Sequence, residues 1–159
     1  MPLKTTTFSG PFTSPPENPV LAFYFSYGLA FSDPASRNIT PPTAYYSSTS
    51  VLTNIDNTTT TGAQAIWDYY IDLYKPFKKV EHNVVSMTVV TDDESGNSTL
   101  FGEFVTGLAR KDGKGAVKLP QAFVYEIRKA EKGKGWGGLQ IWAIRCYFDR
   151  GVLKKAAGL

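Results

Sequence analysis

The chain carries one cysteine, Cys146, and one histidine, His82. A single cysteine excludes an internal disulfide framework and a cysteine zinc site. With only one imidazole beside it, a transition-metal centre would have to rest mainly on carboxylates, so no metal is expected. No apolar run is long enough to span a membrane. The N-terminus lacks the basic-then-apolar pattern of a secretory leader, so a reducing, cytoplasmic setting is the expectation. Charge is also sparse: the net value is +3. Much of the excess lies at Lys111, Lys114, Lys129, Lys132, Lys134, Lys154 and Lys155. These are turn and tail positions, solvated hairpin tips rather than a nucleic-acid face, and no RNA- or DNA-binding signature accompanies them.

What the chain does have is apolar and aromatic. Its 159 residues fit one domain with a real core, and 42% hydrophobic against 19% charged residues is a globular profile. Aromatics make up 14%, which points either to an enclosed small-molecule pocket or to an aromatic-rich core. His82 is the only side chain whose ordinary pKa lies near neutrality, so acid–base chemistry at pH 7 would look there first. The alternative is an ordinary histidine at a strand edge.

Residues 1–17, rich in Thr, Ser and Pro, read as a flexible lead-in, and residues 18–159 as a single domain. Asn18-Pro19 opens a helix, with Asn18 as N-cap and Pro19 at the first helical position. Leu21, Tyr24, Gly28 and Phe31 share a stripe, flanked by Val20, Phe23 and Tyr27. Asp33-Pro34 ends it and starts a short second helix. Val51 to Ile55 reads as a strand, and Thr61-Gly-Ala-Gln64 as a capping box for an aromatic helix. In that helix Ala63, Ile66, Trp67, Tyr70 and Tyr74 share a face. From His82 the period changes to two. Asn83–Val90, Leu100–Arg110, Val117–Arg128 and Leu139–Phe148 read as strands separated by Gly-, Asp- and Asn-rich turns. Short connections make neighbours antiparallel, so helices followed by a long meander predict an α+β domain.

Three passages resemble the NTF2-like superfamily, in particular its SnoaL-like polyketide-cyclase branch. Gly62-Ala-Gln-Ala-Ile66 resembles the glycine-led start of that family's third helix. Val80-Glu-His-Asn-Val84 resembles the strand start where many members place a histidine. Ile144-Arg-Cys-Tyr-Phe-Asp149 resembles its closing strand. The likeness spans about residues 19–153 and is similar to fungal members of the branch. It implies a cone-shaped, cystatin-like α+β barrel with helices packed on a curved antiparallel sheet. It further implies a pocket between the layers, no cofactor, and homodimers formed through the outer sheet face. Members include isomerases, cyclases and dehydratases as well as non-catalytic adaptors, so fold alone leaves function open.

The same resemblance assigns candidate residues. In scytalone dehydratase a catalytic histidine comes from the strand after the aromatic helix, and His82 is the matching position; that enzyme's second histidine has no counterpart here. The Arg-Asp and Asp positions of limonene epoxide hydrolase match Phe104, Thr106 and Cys146, and the loss of charge disfavours epoxide hydrolysis. Alternation places Phe104, Thr106 and Leu108 on one face, and Gln140, Trp142, Ile144 and Cys146 on another inward set. Glu103 then faces outward, unless a bulge inverts the strand and makes it a buried general base. The expected catalytic groups are His82, Tyr46 and Glu103. The expected substrate-binding groups are Tyr24, Tyr27, Trp67, Tyr70, Phe104, Thr106, Trp142 and Cys146. The substrate would be an apolar, polycyclic secondary metabolite undergoing proton transfer: isomerisation, cyclisation or dehydration. The competing expectation is a non-catalytic protein that binds a ligand or partner through the same cavity or sheet face.

Overall fold

The computed structural model describes residues 2–159. Asn18 opens helix α1 (Pro19–Ser32) by accepting the backbone N–H groups of Val20 and Leu21 at 3.0 and 3.1 Å. These are donors the helix cannot satisfy itself, and Pro19 at the first position forfeits none. Asp33 caps α2 (Pro34–Ile39) in the same way through Ser36 N–H at 2.8 Å. Strands β2 (Tyr46–Thr53) and β3 (Thr59–Thr61) follow, then α3 (Ala63–Tyr74). The proposed capping box is absent. Thr61 belongs to β3, the N-cap is Gly62 at φ 99°, and Gln64 turns forward to donate to Asp68 at 2.9 Å. Only glycine adopts that φ without strain, so the chain turns from β3 into α3 by backbone freedom rather than by a side-chain cap.

The sheet core is β4 (Phe77–Asp92), β5 (Ser98–Arg110), β6 (Ala116–Lys129) and β7 (Leu139–Tyr147), all antiparallel neighbours. A last helix, α4 (Arg150–Ala157), is capped by Asp149, which accepts from Gly151 and Val152 N–H. β2 lies parallel to β7, and β3 adds beyond it. At the other edge residues 3–9 correct the sequence reading: they are no flexible lead-in but strand β1 (Leu3–Ser9), antiparallel to β4 from Ser86 to Asp92. The run Leu3-Lys-Thr-Thr-Thr-Phe8 is β-branched in its middle, and β4 offers an otherwise unpaired edge, which is what such a segment needs to order. The finished sheet has seven strands in the order β1-β4-β5-β6-β7-β2-β3. Register shifts at Phe77/Lys79 and Val84/Ser86 in β4, and at Trp142 in β7 opposite Glu126/Ile127, are the bulges that bend it.

The concave face takes every second residue of β5 and β6: Leu100, Phe104, Thr106 and Leu108 from one, and Leu119, Gln121, Phe123, Tyr125 and Ile127 from the other, all buried. Helices α1 and α3 close over it with Phe23, Tyr27, Phe31, Ile66, Trp67, Tyr70 and Tyr74. This is an α+β domain of the NTF2-like fold. β4 starts at Phe77, so His82 lies within the strand rather than at its head. β1 pairs with β4 only from Ser86 onward, so at His82 β4 has a single neighbour, β5. The sheet is open there, and the cavity lies at that opening.

Candidate active site

A cavity of about 230 Å³ lies between α1, α3 and the concave sheet face. An engineered cavity of about 150 Å³ holds benzene, so this volume suits a ligand of roughly two fused rings. Its wall is aromatic: Tyr24, Tyr27 and Phe31 from α1, Tyr70 and Tyr74 from α3, and Phe104, Phe123 and Tyr125 from the sheet. His82 and Asn83 are the polar members contributed by β4. No carboxylate, lysine or arginine lines it among the described residues. The segment after β1 supplies Pro11 and Phe12 at the mouth. Phe12 is held there by stacking on Phe8 at 4.4 Å and by an edge contact with Phe25 at 5.5 Å. The ordered N-terminal strand is therefore part of the site's construction.

His82 is half-buried, and burial pushes its imidazole down to about 4, so the ring is neutral at pH 7. Its Nδ1 lies 2.9 Å from the hydroxyl of Thr106, directly opposite across the β4–β5 pair. Thr106 donates to Gln121 Oε1 at 2.5 Å, and Gln121 Nε2 donates to the Tyr74 hydroxyl at 3.2 Å. The Tyr74 ring meets the His82 ring edge-on at 5.4 Å, which closes the circuit. Among the described residues His82 Nε2 has no hydrogen-bond partner.

The tyrosines form a second polar set. The Tyr27 and Tyr46 hydroxyls are 2.6 Å apart. Burial pushes Tyr27 up to about 12 and Tyr46, Tyr70, Tyr74, Tyr24 and Tyr125 also upward. All are therefore neutral donors at ordinary pH. The Tyr70 hydroxyl is buried and has no hydrogen-bond partner among the described residues, an arrangement that costs about 1–3 kcal/mol unless something answers it.

Of the residues expected from sequence, His82, Tyr24, Tyr27, Tyr70 and Phe104 line the cavity, and Thr106 touches it through His82. Tyr46 is fully buried behind Tyr27 rather than in the wall. Trp67 is core, packed edge-on against Phe31 at 5.3 Å. Trp142 is a correction. Glu126 pairs with Ala143 and Ile127 with Ile141, so the chain bulges at Trp142 and turns it off the inward set. Its indole donates to Lys129 O at 3.3 Å, and the Arg128 guanidinium sits 5.9 Å from its ring. Cys146 is inward-facing but lies away from the cavity, with its thiol 3.2 Å from Asn54 Oδ1 and pushed up to about 11 by burial. That is the state of a buried structural thiol rather than of a nucleophile. Glu103 is exposed on the convex face, 3.4 Å from Ser86 Oγ; no bulge in β5 inverts it, so it cannot serve the cavity as a base.

Sequence reasoning left out Gln121, Tyr74, Tyr125 and the Phe12 segment as site residues. The signal for the first and third was present. Leu119, Gln121, Phe123, Tyr125 and Ile127 alternate, and a polar Gln in an otherwise apolar inward row stands out. No group of three or more His, Cys, Asp or Glu residues that could hold a metal exists among the described residues. No helix among them is long and apolar enough to cross a membrane.

No family model and no curated protein sequence matches the chain. Solved structures do. ActVI-ORFA from Streptomyces coelicolor superposes with a TM-score of 0.63 at 11% identity, covering 83% of this chain and 96% of that one. A protein with a ketosteroid isomerase-like fold from Catenulispora acidiphila, bound to trimethylamine, gives 0.58 at 13% identity over 92% and 95% of the two chains. A hexachlorocyclohexane dehydrochlorinase, LinA-type3 from Novosphingobium barchaimii, gives 0.61 at 10% identity over 80% and 82%. At such identities these likenesses establish the fold, and the chemistry has to be argued from the site.

Proposed function

We propose that this protein is a cofactor-independent enzyme that moves a proton on a small, apolar, ring-containing ketone, by isomerisation, cyclisation or dehydration. The observation that carries the reading is the placement of the chain's one imidazole, neutral and with Nε2 free, in the wall of an aromatic cavity without charged side chains. A neutral imidazole is in its base form. Its Nε2 takes a proton from a carbon next to the carbonyl and, as imidazolium, returns it to a nearby carbon or to a departing hydroxyl. Burial that lowers the pKa of His82 also makes the imidazolium short-lived, which suits a shuttle more than a store.

Charge developing on the ketone oxygen needs a donor. The Tyr70 hydroxyl, buried and without a partner among the described residues, supplies one; Tyr27 is the second, since the enclosed Tyr46 hydroxyl has only Tyr27 as a partner among them and can donate to it, freeing the Tyr27 hydrogen for the ligand. The aromatic walls lower the local dielectric and so strengthen both contacts. A structural neighbour that is a dehydrochlorinase is consistent with proton-removing chemistry on this scaffold.

The convex face supports a further part of the reading, the pairing of two copies. Phe101 and Tyr147 are exposed there beside Ala122, Val124 and Glu103, around a shallow apolar depression. The second functional reading, a non-catalytic protein that only encloses its ligand, draws on the same absence of charged groups in the cavity wall. Incubating the protein with bicyclic aryl ketones and following both binding and turnover separates the two. Binding with no chemical change would favour the second.

A further inference from the structure

Thr106 and Gln121 are buried, lie outside the cavity wall, and touch no ligand-facing atom except through His82 and Tyr74. We infer that they are positioning residues that hold His82 as its Nδ1–H tautomer, so that Nε2 is the nitrogen with the free lone pair toward the cavity. The consequence for catalysis rests on the proton-transfer reading; the tautomer itself does not.

The sheet register builds the arrangement. His82 is paired directly with Thr106 across β4 and β5, and Gln121, paired with Phe104, is the diagonal neighbour of Thr106 on β6. Residues so related share one face within reach of one another. The direction of the hydrogen bonds follows from counting hydrogens. A threonine hydroxyl has one to give. Its 2.5 Å contact with the Gln121 amide is short even for O–H···O and too short for N–H···O, so the amide oxygen is the atom that faces Thr106. The other end of the amide is 3.2 Å from the Tyr74 hydroxyl, the range of an N–H donor. With the amide oriented this way, the only hydrogen of Thr106 goes to Gln121. The 2.9 Å contact with His82 then requires Nδ1–H to donate to Thr106. A neutral ring with hydrogen on Nδ1 has none on Nε2.

A hydroxyl–amide pair does this without a net charge. A carboxylate in the same place would fix the same tautomer but also stabilise the imidazolium. The charged neighbours on β4, Lys79 and Glu81, pair with each other at 2.6 Å in solvent and leave the network neutral. Thr106 and Gln121 thus orient the base while keeping it weak, and with Thr106 fully enclosed, water does not compete for the Nδ1 hydrogen.

The experiment is two-bond 1H–15N correlation spectroscopy of the full chain, uniformly 15N-labelled, at pH 7. A lone histidine gives one imidazole pattern, so no assignment is needed. The expected wild-type pattern has a protonated Nδ1 and an unprotonated Nε2. Thr106→Val should mix the two tautomers, and Thr106→Ser should restore the wild-type pattern. Gln121→Glu should keep the tautomer and raise the His82 titration midpoint, since the new carboxylate still accepts from Thr106 and stabilises the imidazolium. A wild-type ring protonated at Nε2 overturns the inference without any variant having to fold. An unchanged tautomer in a folded Thr106→Val protein overturns it too. The inferred tautomer in a protein that transforms no ketone upholds the positioning and counts only against the proton-transfer reading.

Discussion

The hydroxyls of Tyr27 and Tyr46 lie 2.6 Å apart, one in the cavity wall and the other fully enclosed behind it. The two positions are not equivalent. Removing the Tyr46 hydroxyl leaves Tyr27 able to bond water or ligand in the cavity. Removing the Tyr27 hydroxyl strands that of Tyr46 in the core. Tyr27→Phe should therefore cost about 1–3 kcal/mol and Tyr46→Phe about 1 kcal/mol or less, with the double variant costing less than the sum. Urea denaturation of the four proteins measures the order.

His82 should make stability depend on pH. Its folded value is lowered to about 4 by burial, below the ordinary value of about 6.5. Between those values the unfolded chain binds more protons than the native one, so stability falls as pH drops from about 6.5 to about 4 and this contribution then levels off. The loss amounts to at most about 3 kcal/mol. Carboxylates held low by hydrogen bonds, such as Asp33 and Asp92, act only at still lower pH. His82→Gln should flatten the window between pH 4 and 6.5, as read by thermal melts across that range.

Gly102 sets the shape of the cavity from behind. A methyl group added there would come within 2.7 and 2.9 Å of ring atoms of Phe104, which is itself buried against Tyr24 and Phe123. Gly102→Ala should push the Phe104 ring into the cavity, lowering stability by about 1–3 kcal/mol and weakening ligand binding by more than a surface substitution would. Calorimetric titration with a bicyclic ketone, alongside denaturation, reports both.

On the convex face, Phe101→Glu should leave the cavity intact and shift the protein to a lower oligomeric state if two copies pair there. Glu103→Gln should leave turnover unchanged, since its carboxylate faces away from the cavity. Sedimentation velocity reads the first and steady-state rates the second. A large rate loss in Glu103→Gln would return catalysis to a residue the sheet has turned outward.

The long strands and the capped helices α1 and α2 were legible in the sequence, because alternation, Asn18-Pro19 and Asp33-Pro34 are local signals. So was the inward set Phe104, Thr106, Leu108, which follows from an unbulged β5. Trp142 was misread because a bulge is a property of the pairing between two strands and leaves no mark on one strand's alternation. β1 escaped because its polar, β-branched residues order only against the open edge of β4, a partner some eighty positions away. The relay through Gln121 needed the register of three strands at once. The isolated His82 was visible from composition; the neighbours that define its chemistry were not.

The most direct test of the account is hydrogen–deuterium exchange into a bicyclic ketone such as β-tetralone, followed by NMR in deuterated buffer with wild type and His82→Gln. The account predicts faster exchange next to the carbonyl with wild type than in buffer, and a drop to the buffer rate with His82→Gln while the ketone still binds. Exchange that proceeds equally well without the imidazole would contradict it.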